Sequence, residues 1–232
     1  HECEVLSSHH QQLGALYQGY GTHYVDIWVG KPIPQRQTLI VDTGSSVTAF
    51  PCSNCHECGE SYHTDGYFRI EDSETYVPTD CSGANGGQCQ LGYCTPAPES
   101  DSNERVCSVR MSYAEGSSWS AVEAVDYVYA GGMHDGALVV PEEDLPPEGE
   151  EDHLGDSPGD AYAFEFQLVF GCQYSITGLF ISQLADGIMG MEVSDNSFWK
   201  QMHAAGKIEE KRFSLCFSRQ PTASREGTHA SV

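Results

Sequence analysis

Basic residues are scarce in this 232-residue sequence: 11 lysines and arginines stand against 34 acids, for a net charge of −23. A chain with so few cations lacks the footprint that a phosphate backbone or an anionic lipid surface requires, so no nucleic-acid partner is expected. The acidity is read first as a device for solubility, and second as a mark of a working life at low pH. No apolar run comes near the ~18–20 residues that cross a bilayer as a helix, so a membrane anchor is expected only outside these residues. The sequence opens at His1 with no initiator methionine, basic stretch or apolar stretch, so a leader peptide is expected only upstream of it. None of the ten histidines lies beside a serine or cysteine in a nucleophile signature, which disfavours a serine or cysteine hydrolase.

Cysteine, by contrast, is plentiful. Ten in a chain of this length, an even number, point to disulfides and to an oxidising compartment, the secretory pathway or the extracellular space. Seven of them (Cys52, Cys55, Cys58, Cys81, Cys89, Cys94 and Cys107) fall between 51 and 107, where hydrophobic periodicity is poor and cross-links are expected to stand in for core burial. A zinc site is the rival reading, built from Cys52, Cys55 and Cys58 with His56 or His63. Cys-x-x-Cys is a proper ligand pair, but a third cysteine three residues on is not the usual closing pair. Disulfides are therefore favoured, no metal or other cofactor is expected, and spacing leaves the pairing open.

Along the chain the pattern is that of strands. Tyr24-Val25-Asp26-Ile27-Trp28-Val29 alternates, residues 30–34 turn, and Thr38 to Val41 runs apolar. Val106 to Met111 and Ala121 to Tyr129 read as two strands joined by a connection rich in glycine and serine. Residues 141–160 hold nine acids and four prolines, a composition that cannot offset its ordering entropy by burial, and are expected to form a mobile surface insertion. Strand character returns at Phe164 to Phe170, and an apolar turn is expected over Ala185 to Met191. A short helix is expected over Asn196 to Ala205, a last strand over Phe213 to Phe217, and a frayed tail over 220–232. The fold class is all-β with one or two short helices, as a single lobe over 1–219.

The residues that carry chemistry centre on Leu39-Ile40-Val41-Asp42-Thr43-Gly44-Ser45-Ser46. An apolar strand delivers Asp42 into a turn of small hydrogen-bonding residues, where the backbone can close around its carboxylate. Tyr113-Ala114-Glu115-Gly116-Ser117, Phe170-Gly171-Cys172, Asp186-Gly187-Ile188-Met189-Gly190 and Phe213-Ser214-Leu215-Cys216 follow in order. Together these resemble the landmarks of pepsin-like aspartic proteases from about Tyr24 to Phe217. The run Pro51-Cys52-Ser53-Asn54-Cys55-His56-Glu57-Cys58-Gly59 and the later cysteines are similar to the cysteine-rich insertion of the nepenthesin and plasmepsin V type.

The resemblance implies the N-terminal lobe of a bilobal acid-protease fold acting on a peptide or protein substrate. Asp42 would be one catalytic aspartate, with Ser45 hydrogen-bonded to its carboxylate and Thr43 and Gly44 shaping its turn. Tyr113, Glu115, Gly116 and Ser117 would form the flap over the substrate backbone. Asp186, also an acid in an apolar run, is implied to be structural and is left out of the site. Many relatives carry Trp seven residues after the catalytic Asp to support the flap tyrosine. Here that position is Ala49, so Tyr113 is expected to lack this partner, as in the plasmepsin V type.

Water-mediated hydrolysis by carboxylates needs two of them sharing one proton, one as base and one as acid. No second Asp-Thr-Gly or Asp-Ser-Gly occurs. The favoured explanation is a missing C-terminal lobe that supplies the partner acid. A non-catalytic, protease-like binding module is the alternative, and a homodimer that brings two copies of Asp42 together ranks below it.

Overall fold

Period-two alternation places Val25, Ile27 and Val29 on one face, and all three are buried in strand β2 (His23–Val29). The same logic builds β3 (Gln35–Asp42), β7 (Arg105–Ser112), β8 (Ser118–Ala130) and β9 (Phe166–Thr177), each overlapping an expected strand. Shorter strands complete the set: β1 (Leu13–Gln18), β4 (Ala49–Pro51), β5 (Val77–Pro78), β6 (Tyr93–Pro96), β10 (Gly187–Gly190) and β11 (Thr228–Ser231). The computed structural model describes residues 13–81, 88–98, 104–130, 164–217 and 228–231. The expected acidic insertion at 141–160 lies outside these residues. Among the described residues no helix is long and apolar enough to cross a membrane.

The strands form one sheet in the order β11-β1-β2-β3-β10-β4-β9-β8-β7-β6, with β5 also on β8. A further pairing of β2 with β8 closes β2-β3-β10-β4-β9-β8 into a barrel-like ring. Aromatic side chains fill its interior. Phe50 stacks on Phe170 at 4.7 Å between ring centres, and Phe68 meets Phe50 edge-on at 5.8 Å. Phe68 comes from the cysteine-rich insertion, so that segment contributes to the core as well as being cross-linked.

Two helices were expected at most, and among the described residues two α-helices occur: α1 (Leu179–Ser182) and α2 (Phe198–Ala204), the second inside the expected helical stretch. Three expectations need correction. The apolar segment over Ala185 to Met191 contains a strand, β10, because it pairs on both sides, with β3 in parallel and with β4. Phe213 to Phe217 forms no strand. Side-chain contacts hold it instead: Phe213 packs on Trp199 at 5.8 Å, Phe217 on His23 at 4.9 Å, and Cys216 is disulfide-bonded. Finally, Thr228–Ser231, within the expected frayed tail, pairs antiparallel with β1 along an edge that no other described strand occupies.

Among the bridges with both ends described, disulfides join Cys52 to Cys172, Cys55 to Cys58, Cys81 to Cys94 and Cys89 to Cys107. The sulfurs that a zinc site over Cys52, Cys55 and Cys58 would need as thiolates are thus all consumed. Two buried acids on β8 anchor the insertion through hydrogen bonds. Glu123 accepts from the amides of Gln90 (3.1 Å) and Leu91 (2.6 Å), and Asp126 accepts from Ser73 Oγ (2.8 Å) and from the Thr75 hydroxyl. Asp126 and burial together push the Tyr76 phenol up to about 12, burial being the larger cause.

Candidate active site

Asp42 stands at the last position of β3, paired in parallel register with Gly190 of β10. The chain then turns through Thr43 to Thr48 and returns as β4 on the other side of β10. This threading fixes the acid's backbone from two directions: Met191 N donates to Asp42 O at 2.8 Å, and Glu192 N donates to Ser45 O at 2.9 Å. The carboxylate itself receives the Gly44 amide at Oδ1, 2.9 Å away. A Cβ on residue 44 would come within 3.2 Å of that oxygen, so glycine is what allows the close approach. Thr43 and Gly44 are exposed, and Asp42 is half-buried.

Ser45 differs from its expected role. Its Oγ is buried and meets no partner within hydrogen-bond geometry, so it does not bond to the Asp42 carboxylate. It lies close enough to the Tyr113 hydroxyl to favour that group's ionised form.

Tyr113 begins the turn of the β7–β8 hairpin, closed by Tyr113 N to Ser117 O (2.9 Å) and Gly116 N to Tyr113 O (3.0 Å). Gly116 has φ of 96°, a left-handed conformation that excludes most other residues at this position. Glu115 is exposed at the tip. Burial raises the Tyr113 phenol pKa. The Trp119 and Ser45 contacts oppose that shift, and the nearby charges of Asp42 and Glu115 add to it. The Tyr113 phenol thus senses both the Asp42 charge and the Ser45 hydroxyl. Ser117, expected to meet substrate, has its side chain buried and its Oγ engaged by Leu179 N at 2.9 Å, which fastens the base of the hairpin to α1.

Position 49 offers Tyr113 no indole, and a different residue supplies one. Trp119 Nε1 donates to the Tyr113 hydroxyl at 3.2 Å, and the Tyr113 ring packs edge-on against Phe180 of α1 at 5.2 Å. Sequence reasoning missed Trp119 because it searched position 49. The available signal was the hairpin register, which pairs Trp119 with Met111, two residues before Tyr113. Trp119→Phe removes that hydrogen bond and leaves a cavity at a buried side chain, so it is expected to destabilise the chain by about 2–3 kcal/mol and to speed hydrogen exchange at the 113–118 amides. Unchanged exchange would mean that the indole does not hold the hairpin.

Asp186 is engaged by other residues than these. It is buried, and accepts from Thr38 N (2.6 Å), Thr38 Oγ1 (2.7 Å) and Asp65 N (2.9 Å), tying β3 to the insertion. Burial is the larger effect, opposed by these donors, and its pKa rises to about 7. A carboxyl whose pKa is higher in the folded than in the unfolded state adds stability below its unfolded value and loses it as pH rises through about 7. Thermal unfolding midpoints are thus expected to fall between about pH 5 and pH 8, with a flatter profile for Asp186→Asn. An equal slope in both proteins would rule out Asp186 as the cause.

Comparison with known proteins finds relatives of this sequence. Residues 23–228 match the family described as xylanase inhibitor N-terminal. The chain is 30% identical over 216 residues to aspartic protease 5 of Toxoplasma gondii, covering 88% of this chain and 19% of that protein. It is 27% identical over 175 residues to plasmepsin V of Plasmodium falciparum, covering 75% and 23% respectively. A probable aspartic protease of Arabidopsis thaliana is 27% identical over 209 residues, covering 90% and 38%. The chain therefore spans less than two fifths of the length of each of these three relatives.

Proposed function

The chain belongs to the xylanase inhibitor N-terminal family, the N-terminal lobe of pepsin-like aspartic proteases, and from that premise we propose that it supplies one of two catalytic aspartates to an endopeptidase. The observation that carries the reading is the placement of Asp42. Its carboxylate emerges from a turn locked by β10, with the Tyr113 hydroxyl near enough to sense its charge.

In this reading Asp42 and an aspartate from a second lobe share one proton around a water. The ionised member takes the water's proton, and the protonated member donates to the carbonyl oxygen of the scissile peptide. The hairpin tip at Tyr113, Glu115 and Gly116 covers a peptide or protein substrate, while Thr43 and Gly44 shape the turn beneath it. Ser45 and Ser117 act through the scaffold, since their side chains are buried. No cofactor takes part. The disulfides and the protease relatives support an oxidising compartment, the secretory pathway or the extracellular space. A membrane anchor, where the whole protein has one, lies outside this chain.

The test is peptide hydrolysis at acidic pH by the two-lobed protein, with Asp42→Asn and the isolated 232 residues alongside. Activity is expected only in the intact two-lobed protein. Binding of peptides without cleavage by that protein would instead mark a protease-like binding module. Activity of the isolated chain that rises with its concentration would mark a dimer of Asp42 sites.

A further inference from the structure

Four cysteines of the insertion gather at one place. β6 and β7 are antiparallel and set Cys94 directly opposite Cys107, so both side chains leave the same face of the ladder. The segment ending at Cys81 runs along the other edge of β7. There Cys107 N donates to Thr79 O at 3.1 Å, and Cys81 N donates to Arg105 O at 3.2 Å. The sulfurs of Cys81, Cys89 and Cys107 lie within 4.8 Å of one another, and the Cys81–Cys94 bond brings the fourth sulfur to the group.

The ladder partners Cys94 and Cys107 are nevertheless bonded elsewhere, to Cys81 and Cys89. Directly opposed residues of an antiparallel pair have Cα atoms about 4.5–5.5 Å apart, inside the range a disulfide spans. The same four sulfurs therefore admit a second pairing, Cys94 with Cys107 and Cys81 with Cys89, while the strands stay where they are.

Access is uneven. Cys81 and Cys107 are buried, as are both residues of the Cys52–Cys172 and Cys55–Cys58 bridges, whereas Cys94 is half-buried, as are Cys89 and Cys216. Of these three only Cys94 has a guanidinium on its sulfur among the described contacts. Arg105 donates through Nε to Cys94 Sγ at 3.2 Å and through its terminal nitrogen to Cys94 O at 3.0 Å. A guanidinium beside that sulfur attracts an incoming thiolate to it.

We propose that Cys81, Cys89, Cys94 and Cys107 form a thiol-exchange site, at which a small-molecule thiolate entering at Cys94 converts one disulfide pairing into the other. The external thiolate bonds to Cys94 sulfur, the Cys81–Cys94 bond breaks, and Cys81 leaves as a thiolate. Cys81 then attacks Cys89, breaking the Cys89–Cys107 bond and releasing Cys107 as a thiolate. Cys107 attacks the mixed disulfide at Cys94 and expels the external thiolate. The thiol is regenerated and the protein undergoes no net oxidation or reduction. The exchange moves the cross-links on β7, the strand that leads into Tyr113.

The oxidised full chain, incubated without oxygen with sub-stoichiometric reduced glutathione, quenched in acid and alkylated, provides the test. Trypsin and chymotrypsin cut at Arg105 and between Cys89 and Cys94 (after Leu91 or Tyr93) but leave Cys81 and Cys89 in one peptide. The starting pairing gives three peptides linked together. The exchanged pairing gives a Cys94–Cys107 two-peptide pair and a separate peptide bridged internally. Appearance of the second set with no net gain of free thiol is expected, and Arg105→Gln is expected to slow it several-fold. Persistence of the three-peptide species, or first reaction at Cys55–Cys58 or Cys52–Cys172, overturns the proposal.

Discussion

On the proposed two-acid reading, Asp42→Asn is expected to lower peptide hydrolysis by the protein that carries both lobes by about 10²–10⁴-fold, the range that general acid–base groups contribute. The side chain is half-buried, and its one described hydrogen bond is the Gly44 amide to Oδ1. Asparagine can accept that bond in the same way through its carbonyl oxygen, so the turn should keep its shape. On that reading the variant cannot share a proton with the second acid, so one of the two carboxyl roles is lost. Turnover on a peptide library should therefore collapse while the unfolding free energy stays within about 0.5 kcal/mol of the parent. Turnover that persists would remove Asp42 from the catalytic role. Loss of activity together with loss of fold would make it a structural residue.

The second large effect is expected at Gly190, which pairs with Asp42 across the β3–β10 ladder. A Cβ added there would lie 2.3 Å from Val47 N and 2.4 Å from Ser46 C, both backbone atoms that no rotamer change can move aside. Gly190→Ala must therefore push the 46–47 backbone away from β10, at a cost at or above the upper end of the about 1–3 kcal/mol typical of overpacking. Denaturant unfolding measures that cost. The displaced segment is the return limb of the Asp42 turn, so peptide hydrolysis should fall as well. An alanine variant of parental stability would show that the approach of β10 to this turn is looser than described.

How much of this was legible in the sequence varies from residue to residue. Strands β2, β3, β7 and β8 announced themselves through alternation or apolar runs, because burial of one face or both leaves a local record. Asp42 was legible because an acid behind Leu39-Ile40-Val41 and before Thr43-Gly44 is a local arrangement as well. The segment containing β10 read as a turn, since its four residues become a strand only by lying between β3 and β4, which come from far earlier in the chain. Phe213 to Phe217 had a strand's composition but is held by Trp199, His23 and a disulfide.

Sequence by itself determined the family, the all-β class, the disulfide-rich chemistry and the single Asp42, because each rests on residue identity and short-range order. Tertiary structure alone decided which cysteines pair, which indole reaches Tyr113, and that Ser45 and Ser117 face inward. These are contacts between residues that register and chain crossing bring together. Trp119 meets the Tyr113 hydroxyl because the hairpin folds back on itself, and Cys52 meets Cys172 because β4 lies beside β9, across 120 residues of sequence. Spacing along a chain carries no record of such distances until the sheet is closed.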